Sequence, residues 1–300
     1  MKKISSRIVF FGSGYVAAEA LSLIASEFDV EAVITKPKPT DHRGSMPVLD
    51  VVNDLGLNFY EVANKQELSQ LVEKIKPTSR IGVLIDFGII INEDVINYFP
   101  LGIVNSHFSL LPGWRGPDPI TWAILSGQEF TGVSLMLLSK GIDEGPIIAQ
   151  QKISISKLDN TETLTDKLIR LSQSMLVKNL PKYIAGDIKP QTQSTKSEVT
   201  YSRKISKEDG VIDWHKSAEQ LEREIRAFAD WPKSHTELFG KPVILTSAAV
   251  SDLSLKPGEI VVDNHQIFVG TSIGSLIVKN IKPIGKLEMS STAFLAGYRK

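Results

Sequence analysis

The first 112 residues alternate between short apolar runs and amphipathic stretches, and this alternation constrains the fold more than any other feature of the sequence. Runs such as Ile8–Phe11 and Ile81–Ile85 have the length and composition of buried β-strands, and stretches such as Glu67–Ile75 have helical spacing. Strands that alternate with helices predict a mostly parallel, Rossmann-like sheet covered on both faces, which is an α/β fold. Because ligands of such sheets bind beyond the carboxyl ends of the strands, we expect the functional site there.

The remainder of the chain predicts a second, smaller domain. Thr161–Ala185 has one apolar face and predicts a single long helix. Beyond it, a helix over Ser217–Phe228 and several short strands separated by turn residues predict an OB-like β-barrel. We therefore expect a site-bearing domain at 1–188, a polar linker without periodicity at 189–204 and an OB-like domain at 205–300.

Composition indicates in which cellular compartment the protein works and excludes several kinds of site. Hydrophobic residues make up 42% of the chain, which is enough for packed cores. There are no cysteines, and this excludes disulfides, thiolate zinc sites and a cysteine nucleophile. No apolar run reaches the ~20 residues of a membrane helix, so we expect a cytoplasmic protein without a membrane partner. Basic and acidic residues number 34 each, so only a local patch could bind a nucleic acid.

A glycine-rich turn, Gly12-Ser13-Gly14, follows the first predicted strand and has the beginning of a dinucleotide-binding pattern. The third glycine of that pattern is replaced by Ala17, and no acidic residue stands at the end of the second strand, where the sequence reads Val33-Ile34-Thr35. A tight strand-to-helix turn is therefore the better interpretation, with a nucleotide site as the alternative.

Three polar side chains form the strongest candidate site. Asn105 and His107 come at the end of a predicted strand and, because side chains alternate with period two, lie on the same face. Asp143 follows further along, between two nearby glycines. An amide and an imidazole can stabilise the oxyanion of a tetrahedral intermediate, and a carboxylate can orient the imidazole. The trio suits acyl transfer to an amine, although a histidine at a strand end can also be purely structural. One histidine beside one aspartate does not make a metal site.

An ordered set of motifs carries a family resemblance. Asn105-x-His107 is followed by Ser109–Pro112, then Arg115-Gly116, then Thr131–Val133, then Gly141–Gly145. The set resembles the 10-formyl-tetrahydrofolate-dependent formyltransferases, which act on glycinamide ribonucleotide, methionyl-tRNA or amino sugars. The resemblance implies that Asn105, His107 and Asp143 are catalytic and that 10-formyl-tetrahydrofolate is the formyl donor. It also implies a set of folate contacts: Phe87, Gly88, Ile89, Ser109, Leu110, Leu111, Pro112 and Ile142.

The C-terminal part of the sequence indicates which branch of this family the chain resembles. Four segments are similar to the second domain of methionyl-tRNA formyltransferases: Ile212–Trp214, Ile225–Phe228, Trp231-Pro232 and the ending Ile281–Ser290. The implied function is the formylation of methionyl initiator tRNA for translation initiation, by a cytoplasmic monomer. Because phosphates need cations, we expect Arg43, Lys282 and Lys286 to contact the tRNA.

Departures from the family pattern leave more than one possible acceptor of the formyl group. The loop at residues 36–47 is shorter than is usual for tRNA enzymes and keeps only Arg43-Gly44 of their motif. Asp86 and Asp118 stand where the family has other residues. The short loop favours an amino-sugar formyltransferase acting on a nucleotide-linked 4-amino sugar, whereas the C-terminal ending favours tRNA. A folate- or RNA-binding protein without activity is the third alternative, but it would not need the complete trio.

Overall fold

The computed structural model describes residues 4–39, 46–194 and 198–298. Its contacts divide the chain into two compact units, neither of which is continuous in sequence. The first unit comprises Met1–Gly116, Thr131–Ile153 and Thr165–Tyr201, and the second comprises Pro117–Phe130, Ser154–Leu164 and Ser202–Lys300.

The first unit contains a seven-stranded sheet. Its strands are β1 (Ile4–Phe11), β2 (Phe28–Thr35), β3 (Phe59–Glu61), β4 (Gly82–Leu84), β5 (Ile103–His107), β6 (Phe130–Leu137) and β7 (Ile147–Ser154). They lie in the order β3-β2-β1-β4-β5-β6-β7. The pairs from β3 to β5 are parallel, and β6 runs antiparallel to β5. The predicted mostly parallel, Rossmann-like sheet is therefore confirmed.

Eight α-helices accompany the strands in the described residues. They are α1 (Tyr15–Glu27), α2 (Pro47–Leu55), α3 (Lys65–Ile75), α4 (Glu93–Tyr98), α5 (Pro119–Leu125), α6 (Thr161–Ala185), α7 (Ala218–Ala227) and α8 (Ser291–Tyr298). Local chemistry explains where several begin. The Asn64 side chain accepts hydrogen bonds from the backbone N–H groups of Gln66 and Glu67, both at 3.0 Å, and starts α3. Ser217 caps α7 in the same way. None of these helices is long and apolar enough to cross a lipid bilayer.

An aromatic cluster supports the strands that carry the site. The ring of Phe11 on β1 meets Phe87 edge-on at 5.8 Å between centroids and Phe99 at 6.0 Å. All five residues of β5 are buried, so this strand is central and its end is held rigidly. The core thereby fixes the strand end from which Asn105 and His107 project.

The polar stretch predicted as a linker pairs with the first unit. Gln191 exchanges two backbone hydrogen bonds with Ile147 at the start of β7, at 2.7 and 2.8 Å. The Thr200 carbonyl accepts from the Arg115 N–H at 2.9 Å. These bonds lie within the first unit, so the described residues up to Tyr201 belong to it.

The second unit contains a separate antiparallel sheet, as predicted for the smaller domain. Its strands are β8 (Ser234–Leu238), β9 (Lys241–Ser251), β10 (Ile260–Asp263), β11 (Gln266–Gly270), β12 (Ser275–Pro283) and β13 (Met289–Ser290). The order is β10-β11-β12-β9-β8, and β13 pairs with β12. Helix α7 and Phe294 of α8 contribute buried side chains to its core.

Candidate active site

Asn105, His107 and Asp143 meet beyond the carboxyl end of β5. Asn105 and His107 are 8% and 7% exposed, so both side chains are buried. The Asn105 amide donates to Asp143 Oδ1 at 3.3 Å, and His107 Nδ1 lies 3.6 Å from Asp143 Oδ2. The three side chains predicted from the sequence thus form one contiguous group.

The Asp143 carboxylate is surrounded by donors. Besides Asn105 and His107, the backbone N–H of Gly116 donates to its Oδ2 at 2.8 Å. The backbone of Asp143 has φ +52°, in the left-handed region that residues other than glycine rarely adopt. This conformation, and not the strand period, aims the carboxylate at the two residues of β5.

The His107 ring is held between two acceptors. Its Nε2 lies 2.8 Å from the carbonyl oxygen of Trp114, and a carbonyl can only accept, so Nε2 carries a proton. Its Nδ1 faces the Asp143 carboxylate, which also only accepts when ionised. The ring is thus oriented by the Trp114 carbonyl at one nitrogen, with the other nitrogen facing the Asp143 carboxylate.

Two further residues complete the surroundings of Asp143. Gln193 is buried and its Nε2 donates to the backbone oxygen of Asp143 at 2.6 Å. Arg115 is also buried and donates from Nη2 to Gln193 Oε1 at 2.8 Å. Sequence reasoning singled out Arg115 only as part of a motif and missed Gln193, because Gln193 lies in a polar stretch without periodicity.

The expected folate-binding segments lie beside the trio at the same sheet edge. Leu84 at the end of β4 pairs with Asn105, so the loop that follows β4 begins next to the trio. In that loop the ring of Phe87 is buried in the aromatic cluster, and Gly88 has φ +68°. The side chain of Ile90 is 78% exposed. Phe87 can therefore meet a ligand only through its backbone, whereas Ile90 offers an apolar side chain.

Internal hydrogen bonds stiffen the loop after β5. Ser109 Oγ donates to the Gly113 carbonyl at 2.6 Å, and Ser134 Oγ donates to the Ser109 carbonyl at 2.7 Å. The Leu111 N–H donates to Ser134 Oγ at 3.1 Å, and Pro112 follows through a cis peptide bond. Leu111 is buried, and the expected contact Leu110 is half-buried. Ile142, which precedes Asp143 in sequence, is 67% exposed.

The glycine-rich turn after β1 packs against the loop that follows β4. Ser13 Oγ donates to the Phe87 carbonyl at 2.6 Å, and the Gly12 N–H donates to the Ile34 carbonyl at 3.1 Å. A side chain at position 12 would overlap Ala17 and the Phe10 ring, so glycine is required there for close approach. The contacts agree with the interpretation as a tight turn that shapes the sheet edge.

Two departures from the family pattern have local structural contexts. Asp118 Oδ2 accepts from the Ile205 N–H at 2.9 Å, and both residues belong to the second unit. Asp86 has φ +47°, and its carbonyl accepts from the Ser13 N–H at 3.0 Å. Asp118 therefore serves the packing of the second unit, and Asp86 helps to shape the loop before Phe87.

Of the three expected tRNA contacts, the structure describes Lys282 and Lys286. Arg43 lies outside the described residues. Lys282 is half-buried on β12, and Lys286 is exposed in the turn between β12 and β13. The two lysines share this hairpin of the second unit. Across residues 4–39, 46–194 and 198–298, no group of three or more His, Asp or Glu side chains is arranged to hold a metal ion.

Two family models match the chain. Residues 6–180 match the formyl transferase model, and residues 204–299 match the model for the formyl transferase C-terminal domain. A methionyl-tRNA formyltransferase from Chloroflexus aggregans is 36% identical over 303 residues, which cover 97% of this chain and 97% of that protein. The matches extend over both units.

Solved structures show the same fold. An N-formyltransferase from Helicobacter canadensis, solved with folinic acid and dTDP-3-aminofucose, gives a TM-score of 0.70 at 18% identity, covering 92% of this chain and 99% of that chain. HypX from Aquifex aeolicus, solved with tetrahydrofolic acid, gives a TM-score of 0.67 at 18% identity. The latter match covers 99% of this chain and 48% of HypX, so it involves about half of that protein.

Proposed function

The chain belongs to the formyl transferase family, and on this basis we propose that it transfers the formyl group of 10-formyl-tetrahydrofolate to the amino group of methionyl initiator tRNA. The full-length similarity to a methionyl-tRNA formyltransferase, 36% identical over 97% of both chains, is the observation that supports the acceptor. The assembled trio of Asn105, His107 and Asp143 supports the chemistry. In this role the protein acts in the cytoplasm, at the start of translation.

The reaction begins with attack of the uncharged methionyl amine on the formyl carbon. A C–N bond to the amine forms, and the formyl oxygen becomes an oxyanion. An Asn105 amide nitrogen carries two hydrogens, of which one is donated to Asp143, so the other can be donated to the oxyanion. Collapse then breaks the bond to N10 of tetrahydrofolate, and the proton lost by the amine is passed on to N10.

His107 stabilises the oxyanion, and Asp143 accepts a proton. Because Nε2 of His107 is engaged by the Trp114 carbonyl, the ring would stabilise the oxyanion through its charge when it is protonated, or through a hydrogen bond if Nε2 leaves that carbonyl. Asp143 orients the ring and receives the amine proton, directly or through a water.

The folate lies along the edge formed by the loops after β4 and β5. Ile90 and Ile142 are exposed apolar side chains of the first unit that suit the flat, partly apolar ring system of a folate. The backbone of Phe87–Ile89 contributes hydrogen-bonding groups, since the Phe87 ring is buried. The Ser109 hydroxyl and carbonyl and the Leu111 N–H are engaged internally, so the loop after β5 mainly contributes shape.

Product mass tests the acceptor directly. The full chain is incubated with 10-formyl-tetrahydrofolate and either methionyl initiator tRNA or a nucleotide-linked 4-amino sugar. We expect a mass gain of about one formyl group on the aminoacyl-tRNA and none on the sugar. Transfer to the sugar alone would make the protein an amino-sugar formyltransferase, and transfer to neither would leave binding without activity.

Replacing Lys282 and Lys286 together with Ala should reduce the salt dependence of tRNA binding. Each phosphate contact contributes roughly 0.7–0.9 to the slope of log affinity against log salt concentration, so the slope should fall by about 1–2. The measurement is the apparent affinity for methionyl-tRNA at several salt concentrations. Lys241→Ala, which removes an exposed lysine at the start of β9, is the matched control. An unchanged slope in the double variant would remove this hairpin from the tRNA interface.

Arg43→Ala should impair the formylation of methionyl-tRNA far more than that of a small amine. Arg43 belongs to the loop at 36–47, and the resemblance implies that this loop acts at the acceptor end of the tRNA. We expect kcat/KM for methionyl-tRNA to fall about 10-fold or more, which corresponds to the loss of one charge-assisted contact. The same variant is assayed with methionine amide, and equal losses on both acceptors would contradict a role in tRNA recognition.

A further inference from the structure

A single buried side chain clamps the loop that presents Asp143. The Nε2 of Gln193 donates to the carbonyl of Asp143 at 2.6 Å and to the carbonyl of Gly145 at 3.0 Å. Gln193 is 6% exposed and lies 50 residues from Asp143 in sequence. One amide group therefore holds the backbone on both sides of Glu144.

The orientation of that amide is set by Arg115. The guanidinium donates to Gln193 Oε1 from Nη2 at 2.8 Å and from Nε at 3.3 Å. A guanidinium has no acceptor, so the amide oxygen must face Arg115 and the NH₂ group must face the two carbonyls. Arg115 is itself anchored to Glu144 at 3.2 Å.

Holding the backbone matters because Asp143 is in an unfavourable conformation. Its φ of +52° is in the left-handed region, and this strained geometry persists only if the surrounding backbone is held; freedom of the peptide group after it would let the Asp143 backbone shift and carry the carboxylate away from His107. The carbonyl that Gln193 holds belongs to that peptide group. The next residue after Arg115, Gly116, donates its N–H to Asp143 Oδ2, so Arg115 joins the clamp to the carboxylate itself.

We propose that Gln193 is a positioning residue for formyl transfer, which fixes the peptide group of Asp143 so that its carboxylate stays against His107 and Asn105. The inference rests on the proposed function, since it assumes that Asp143 takes part in the chemistry. Gln193 acts through the backbone of Asp143 and not through contact with either substrate. Its loss should therefore lower the rate of transfer while substrate binding is kept.

The test uses Gln193→Glu in the full chain. Glutamate keeps an oxygen for Arg115 but removes both N–H groups that hold the loop. We expect kcat for methionyl-tRNA to fall about 10²-fold, because small displacements of catalytic groups have effects of this size. The KM values for both substrates should stay within about threefold of the original. Gln193→Met, which removes both halves of the contact, should behave alike, and it replaces Gln193→Glu if the latter fails to fold. Gln191→Glu, an exposed change two residues earlier in the same segment, is the matched control and should retain kcat.

A double-mutant cycle separates positioning from a general structural role. If Gln193 acts through Asp143, adding Gln193→Glu to Asp143→Asn should lower the residual single-turnover rate by less than about threefold. An equal loss in both backgrounds, or a wild-type kcat for both Gln193 variants, would overturn the inference. If Asp143→Asn alone retains full activity, the proposed catalytic role of Asp143 fails, and the inference about Gln193 fails with it.

Discussion

Asp143→Asn should lower kcat by about 10³–10⁴-fold, within the range for loss of a carboxylate that supports a catalytic histidine. The two carboxylate oxygens receive Asn105 on one side, and Gly116 together with His107 on the other. An asparagine has one oxygen and one NH₂ group, so in either orientation a donor would face another donor. The variant also removes the negative charge that faces the His107 ring.

The measurement is single-turnover formylation of methionyl-tRNA, together with thermal unfolding to show that the fold persists. Asp94→Asn, an exposed carboxylate of α4 in the same unit, is the matched control and should retain activity. A rate within about threefold of the original protein, with unchanged melting, would remove Asp143 from the mechanism.

The residues on strands were within reach of sequence reasoning. Asn105 and His107 could be placed together because β5 is a short buried strand whose side chains alternate, and its end could be recognised from the turn that follows. The start of α7 could be placed because Ser217 supplies a capping oxygen to the Gln220 N–H. Such features depend on neighbours a few residues away.

Contacts between residues far apart in the chain could not be predicted from the sequence. Gln193 lies in a polar stretch with no periodicity, and its partners are fixed only when that stretch packs on the first unit. Pro117–Phe130 runs up to the first residue of β6 in sequence and yet belongs to the second unit. There Arg223 donates to the Leu125 carbonyl at 3.2 Å across 98 residues. The buried ring of Phe87 was likewise not predictable, because a resemblance identifies a position near a ligand without showing which way its side chain points.

The loop that carries Asp143 also depends on a position without a side chain. A Cβ added at Gly145 would overlap the carbonyl oxygen of Leu137. The backbone of Leu137 is held in place, because its N–H donates to the Pro146 carbonyl at 2.9 Å and joins the end of β6 to this loop. Gly145 is held in turn, since its own carbonyl accepts from Gln193 at 3.0 Å. Any relief of the overlap must therefore move the backbone between Asp143 and Gly145.

Gly145→Ala should accordingly lower kcat by about 10²-fold and the free energy of unfolding by about 1–3 kcal/mol, the usual cost of overpacking. Both effects come from one displacement, so they should appear together in transfer assays and in denaturant unfolding of the same preparation. Gly297→Ala on α8 is the control, because an added Cβ there meets nothing within 4 Å and alanine favours a helix. Its stability should stay within about 0.5 kcal/mol of the original or rise slightly. Full activity of Gly145→Ala, whatever its stability, would mean that the loop tolerates a shift of its backbone and that the geometry of Asp143 does not depend on it.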